Sequence, residues 1–268
     1  MSPLTQIRRG KDPRPPRILI YGTESIGQST FASMAPAPIF IQTEDGLGEI
    51  DCDKFPLANT LQDVLNPLSA LLVEEHDYQT VVIDSLDWLE RLVWDELCRQ
   101  YHVNTIEKVD GGFSKGYTHA LTPWRRILAL LDRLRLERGM LVLAIAPSKV
   151  EKFDDPESTS YDRYSPRLHK HVGGLVCEWA DAVLFATRKI RVQSEDAGFN
   201  RKRGIAFGLG KEGGERVLRT MGSPSCVAKS RYPLPEELPL DWPSFFSALT
   251  NPNPTNEPST PDLLTTES

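Results

Sequence analysis

Along the first 190 residues, five runs of consecutive apolar positions alternate with stretches in which apolar residues recur every three or four places. The runs are Arg17 to Tyr21, Pro38 to Gln42, Thr80 to Asp84, Met140 to Ala146 and Asp181 to Thr187. An unbroken apolar run marks a strand covered on both faces, and helical recurrence marks the segments that cover it. Between the second and third runs, Val64, Leu65, Leu68, Leu71 and Leu72 trace one helical face, preceded by Thr60-Leu-Gln-Asp63 in capping-box order. Leu86 to Tyr101 predicts the next helix, with Leu89, Leu92, Val93 and Leu97 facing inward. Thr122-Pro123 predicts the cap and first turn of a helix that runs towards Arg138 and stops at Gly139. A helix around Leu175 to Trp179 leads into the fifth run, and Trp88, Trp94, Trp124 and Trp179 fall on apolar helical faces expected in the core. Strands alternating with helices predict an α/β fold with a mostly parallel central sheet flanked by helices.

After Thr187 the pattern changes. Short segments at Ile190, Ile205 to Phe207 and Arg216 to Leu218, separated by Gly-rich turns, predict C-terminal antiparallel hairpins. Gly208-Leu-Gly-Lys-Glu-Gly213 spells G-x-G-x-x-G but precedes a strand-like segment, which makes it a hairpin turn and not a dinucleotide loop. From Asn251 the chain is Pro, Thr, Ser, Asn and Glu with little to bury. The expected organisation is a flexible segment over 1–16, one domain over 17–250 and a disordered tail over 251–268.

The turn after the first run carries the sharpest chemical signal. Gly22-Thr23-Glu24-Ser25-Ile26-Gly27-Gln28-Ser29 has the spacing, both glycines and the terminal hydroxyl of the phosphate loop G-x-x-x-x-G-K-[ST], with Gln28 at the lysine position. Its backbone N–H groups and the helix opening at Ser29 and Thr30 suit phosphate, and the Ser29 hydroxyl suits Mg²⁺. Gln28 keeps a donor and loses the charge. A charge-assisted hydrogen bond contributes about 1.5–3 kcal/mol against about 0.5–1.5 for a neutral one. At roughly 1.4 kcal/mol per decade, that difference predicts nucleotide binding weakened on the order of tenfold. Asp84, which ends the third run, suits the carboxylate that supports Mg²⁺, and Glu44, just past the second run, suits a base that orients water. Ordinary solvation of strand ends is the alternative account of both carboxylates.

With those residues in place, the chain resembles the phage nucleotide-binding family of RecA-like P-loop ATPases, which includes single-strand annealing recombinases. The resemblance runs from about Arg17 to Leu249. It is carried by Ile20-Tyr-Gly22 and the loop, Phe40-Ile-Gln-Thr-Glu-Asp45, Val81-Val-Ile-Asp-Ser85, Lys149-Val-Glu-Lys-Phe153, Tyr161-Asp-Arg-Tyr-Ser-Pro166 and Ala228-Lys-Ser-Arg-Tyr232. It implies a RecA-like P-loop NTPase core that uses ATP and Mg²⁺, acts on single-stranded DNA in recombination or repair, and forms a homo-oligomer with nucleotide between subunits. By position, Glu44 is similar to the family's catalytic glutamate and Asp84 to its Mg²⁺-side aspartate. Lys229 and Arg231 are similar to cations offered in trans to a neighbour's phosphates. The chain departs from the family at Gln28, at Ser25, where glycine is frequent, and at Pro147, where a polar sensor residue follows the fourth strand. These departures set the expectation of ATPase chemistry against that of weakened or lost hydrolysis.

A formal net charge of -6 excludes global attraction to nucleic acid, so DNA contact requires a local basic patch. Arg188, Lys189 and Arg191 precede Val192 to Asn200, and Arg201, Lys202 and Arg203 follow it. A hairpin there is expected to join the two groups into a phosphate-binding stripe, with Phe199 available to stack on a base. A solvated charged hairpin has the same composition. Cys52, Cys98, Cys177 and Cys226 are scattered without a metal or disulfide pattern, and His169 and His171 fit no zinc spacing. The longest apolar run, Met140 to Pro147, is too short to span a bilayer, and the N-terminus lacks a secretory apolar stretch, so a cytoplasmic protein without membrane contact is expected. The leading expectation is a phage-type ATP-binding protein acting on single-stranded DNA, with a single-stranded DNA-binding protein as a further partner. A nucleotide-impaired structural or DNA-binding homologue and a P-loop small-molecule kinase are the alternatives.

Overall fold

The computed structural model describes residues 3–7, 9–10, 13–157, 159–196, 202–208 and 214–251. After a short 3-10 turn at Pro3–Gln6, the elements are β1 (Arg17–Gly22), α1 (Gln28–Ser33), β2 (Pro38–Gln42), β3 (Asp53–Lys54), α2 (Leu61–Val73), β4 (Thr80–Asp84) and α3 (Leu86–Tyr101). A second 3-10 segment (Ile106–Gly111) leads to α4 (Lys115–His119), α5 (Leu121–Glu137), β5 (Leu141–Phe153), β6 (Tyr161–Pro166), α6 (Lys170–Trp179) and β7 (Ala182–Arg188). There follow β8 (Ile190–Asp196), β9 (Lys202–Gly208), β10 (Arg216–Arg219), β11 (Lys229–Ser230), β12 (Glu237–Pro239) and α7 (Trp242–Thr250).

The central sheet has the order β12-β10-β7-β1-β5-β4-β2-β3. From β7 to β3 every pairing is parallel; β10, β11 and β12 add antiparallel strands at the β7 edge. The expected α/β architecture is therefore the one observed. Its unbroken apolar strands divide by alternation between two cores. Leu19, Tyr21, Ile39, Ile41, Val81, Ile83, Val142 and Ala144 pack beneath α2, α3, α5 and α6. Ile18, Ile20, Phe40, Val82, Leu143, Ile145 and Leu184 face α1 and α7. This two-sided burial is why the strands read as continuous apolar runs.

The chain leaves β1 for β2 on one side of the sheet and crosses from β5 to β7 on the other side of β1. Adjacent strands whose connections diverge leave a crevice at their carboxyl ends, here above β1 and β5. A six-residue helix such as α1 has too few internal hydrogen bonds to persist alone. Phe31 anchors it, its ring centroid lying 5.2 Å from Trp242 and 5.7 Å from Phe245 of α7.

Three local expectations change. The fourth strand does not stop at Ala146: β5 continues through Phe153 and pairs antiparallel with β6, from Ser148↔Pro166 to Phe153↔Tyr161. Thr122 is not an N-cap, because Ala120 already has helical geometry and α5 begins at Leu121; Pro123 sits in the first turn, where its missing N–H costs nothing. Trp124 is fully buried, but Trp88 is 37% exposed and lies under the Arg91 guanidinium, 4.1 Å from its ring centre. The capping box holds, with Asp63 N–H donating to Thr60 Oγ1 at 3.3 Å and Thr60 N–H donating to Asp63 Oδ2 at 2.9 Å. The expected tail beyond Asn251 lies outside the described residues.

Candidate nucleotide-binding site

The loop from Gly22 to Ser29 turns between β1 and α1 at the carboxyl edge of the sheet. Gly22 is required by contact: a Cβ there would lie 2.5 Å from the Ala186 carbonyl oxygen and 2.9 Å from Ala186 Cβ. Gly27 is required by conformation, with φ of 106° as the residue that opens α1. Ser25 adopts φ of 55°, a left-handed conformation that glycine takes without strain, which accounts for the glycine frequent at this position in the family and not for the serine here. Ile26 fixes the loop from below, buried in the α1-side core.

Gln28 does not reach into the cleft as a cation would. Its Nε2 donates to the Ala146 carbonyl at 2.8 Å and approaches the Ile20 carbonyl at 3.4 Å, tying the start of α1 to the ends of β1 and β5. Ser29 Oγ donates to Asp84 Oδ2 at 2.6 Å. This pair unites two residues picked from sequence, 55 positions apart, at the mouth of a cleft of about 430 Å³. Glu24, Ser25, Gln28, Ser29, Glu44 and Asp84 line that cleft, together with Ser85, Pro147 and Arg167. Thr23 is half-buried in the loop, and Thr30, the third residue of α1, is exposed.

The acidic side of the cleft is organised around Ser85. Thr43 Oγ1 donates to the Ser85 carbonyl at 2.6 Å and accepts from the Ser85 N–H at 2.9 Å, which sets Glu44 beside the Ser85 side chain. Ser85 Oγ lies 3.0 Å from Glu44 Oε2 and 2.7 Å from Asp87 Oδ1. A hydroxyl carries one proton, so it donates to one of these carboxylates at a time. Arg167 Nη2 holds the other oxygen of Asp87 at 2.9 Å. Asp84 is 8% exposed, and burial pushes its carboxyl up to about 6 against the opposing Ser29 hydrogen bond, with the Glu44 charge adding to the rise.

These oxygens fit Mg²⁺. The ion binds one or two protein oxygens and completes its shell with water and phosphate, so Ser29 and Asp84 suffice on the protein side. Among the described residues no group of three or more His, Cys, Asp and Glu is disposed to hold a metal through protein ligands alone.

The remaining predicted residues lie elsewhere. Lys229 pairs with Val183 near the start of β7, and its Nζ donates to the Glu178 carbonyl at 3.1 Å. Arg231 binds Asp181 at 2.9 Å, in a cluster with Arg17 and Arg135. Gly22 pairs with Ala186, so these cations sit three to five residues down the sheet, on the order of 10–17 Å from their own loop. They do not line the cleft beside their own loop.

The basic hairpin is also corrected. In the β8–β9 register Asp196 pairs with Lys202, Glu195 with Arg203 and Arg191 with Phe207. In that register Val192 to Asp196 are strand, and Lys202 and Arg203 lie at the opposite end of the pair from Arg191, about 14–17 Å along the strands. At the base, Lys189 is paired with Glu215 and Glu237, and Arg188 donates to the Gly214 carbonyl at 3.3 Å. Phe199 and Arg201 lie outside the described residues.

Sequence reasoning missed Ser85, Arg167 and Arg216 as neighbours of the site. Ser85 follows Asp84 directly and was readable as a strand-end hydroxyl. The arginines come from β10 and the end of β6, and no local pattern marks them.

An AAA domain model matches residues 14–232, most of the chain and all of the strands and loops that form this cleft. The chain belongs to the AAA domain family. The chain is also 24% identical over 172 residues to the SPbeta prophage-derived uncharacterized protein YorG of Bacillus subtilis (strain 168). That alignment covers 63% of this chain and 49% of the relative, so the chain spans about half the length of that protein. An AAA domain of P-loop type implies nucleotide binding, usually with Mg²⁺. No helix among the described residues is long and apolar enough to cross a membrane.

Proposed function

We propose that this AAA-domain protein is a RecA-like ATP-binding protein of phage type that acts on single-stranded DNA in recombination or annealing, with hydrolysis weakened by Gln28. The observation that carries the nucleotide part is the 2.6 Å contact between Ser29 and Asp84, which brings together the loop hydroxyl and the buried carboxylate that would hold Mg²⁺. Glu44, oriented by Ser85, is the base for an attacking water. Gln28 adds no charge as negative charge builds on the transferring phosphoryl group, so turnover suffers more than binding. Lys229 and Arg231 serve the neighbouring subunit of a homo-oligomer, and the DNA part rests on the family resemblance.

A nucleotide-impaired DNA-binding homologue is favoured by one specific observation, the commitment of the Gln28 amide to the Ala146 carbonyl beside Pro147. Two assays separate the readings. Binding to labelled single-stranded DNA, with and without ATP and Mg²⁺, should weaken steeply with salt. Phosphate release by the wild type and a Gln28→Lys variant should be low in the first and raised in the second, and lost on Glu44→Gln. DNA binding without any ATP binding supports the impaired homologue, and no DNA binding at low salt removes the DNA role.

A further inference from the structure

The cleft lacks the positive charge that a triphosphate requires. Three carboxylates, Glu24, Glu44 and Asp84, line it, and its cation, Arg167, is bound to Asp87. Gln28 is neutral and turned towards a backbone carbonyl. A guanidinium nevertheless lies against the loop from outside that lining. Arg216 Nη1 is 3.3 Å from the Ile26 carbonyl oxygen and 2.8 Å from the point a Cβ on Gly27 would occupy.

Arg216 is exposed and, among the described residues, forms no ion pair and makes one long, neutral hydrogen bond through its side chain. The fold holds it there for a simple reason. Leu218 and Ala186 pair across β10 and β7 and pack in the core beneath Ile26 and Phe31, and Arg216 pairs with Arg188 one side-chain step further on, on the same face. A glycine at position 27 leaves room for the guanidinium; any side chain there would displace it.

We propose that Arg216 replaces the missing loop lysine, binding a phosphate of the nucleotide at the Gly27 side of the loop with the N–H groups that Ile26 does not use. Arg suits this role because its planar donors match phosphate oxygens and its charge persists at any working pH. The proposal rests on the nucleotide reading of the cleft, and the experiment is arranged to tell the two apart.

Titrate ADP with Mg²⁺, and separately adenosine, into wild type, Arg216→Ala, Arg216→Gln, Arg167→Ala and Gln28→Lys, and into Gln28→Lys combined with Arg216→Ala. Thermal melts establish that each variant is folded. The expected result is a loss of ADP affinity of about tenfold in both Arg216 variants, from loss of a charge-assisted contact, with adenosine affinity unchanged. Gln28→Lys should shrink the Arg216→Ala loss to a few-fold, since the restored lysine supplies the charge. Wild-type affinity for ADP in the Arg216 variants, an equal loss for adenosine, or a loss confined to Arg167→Ala overturns the proposal while leaving the nucleotide site standing. A wild type that binds no ADP removes the nucleotide reading itself, and the Arg216 assignment with it.

Discussion

Asp84 gives the sharpest quantitative test, because its environment makes metal binding depend on pH. The carboxyl is buried at the end of β4, and its proton is held up to about 6, well above the ordinary 3.8. Mg²⁺ requires the ionised form. At pH 8 the proton is gone and the ion binds without penalty; at pH 5, one unit below the midpoint, it must displace a proton at a cost of about 1.4 kcal/mol, or roughly tenfold in apparent affinity. The assay is nucleotide binding at fixed ADP across pH 5 to 8, with Mg²⁺ and with chelator, in wild type and Asp84→Asn. The Mg²⁺-dependent gain should rise through about pH 6 and level off in the wild type, and be absent at every pH in Asp84→Asn. The same substitution removes a buried group that must ionise, so Asp84→Asn should melt higher than wild type above pH 6. A Mg²⁺ effect that is flat with pH, or that survives in Asp84→Asn, would refute the placement of the metal beside Asp84.

Other substitutions test the framework around the site. Gly22→Ala drives a Cβ into the Ala186 carbonyl at 2.5 Å and should cost about 1–3 kcal/mol in chemical denaturation, with ADP affinity falling in parallel. Thr60→Ala removes half of the α2 capping box and should lower stability by about 1 kcal/mol without changing nucleotide binding. Glu90 is 4% exposed, and burial pushes its carboxyl up to about 7 from the ordinary 4.5, against two contacts from the His169 N–H. The folded state holds this proton more tightly than the unfolded chain. The stability that the proton supports is full below about pH 4.5 and is lost as pH rises through about 7. Glu90→Gln should therefore stabilise the protein at pH 8 by more than at pH 5, as read from urea midpoints; an equal shift at both would contradict the burial argument.

The fold was legible because its strands are covered twice. Continuous apolar runs such as Val81-Val-Ile83 admit few other structures, and the loop after β1 carries a spacing that survives the loss of its lysine. Ser29, Asp84 and Glu44 were legible for the same reason: each follows or ends a strand that converges on the cleft. The extension of β5 was not. From Ser148 to Phe153 the chain leaves the core and pairs with β6 alone, so its mostly polar, half-exposed residues carry no burial signal. The basic bracket failed on register: residues close to each other across a hairpin are those that pair, and Lys202 and Arg203 pair with Asp196 and Glu195, at the other end of the strands from Arg191. Arg216 was invisible because its partner Ile26 lies 190 positions earlier and its relation to the loop exists only through the antiparallel pairing of β10 with β7.

The central claim is that the Gly22–Ser29 loop still receives a nucleotide phosphate without its lysine. Calorimetric titration of the wild-type chain with ADP and Mg²⁺, beside Ser29→Ala and Asp84→Asn, tests it most directly. The account predicts saturable binding of one nucleotide per chain, competed by ATP and weakened in both variants only when Mg²⁺ is present. No saturable binding, or binding that both variants leave untouched in Mg²⁺, would contradict it.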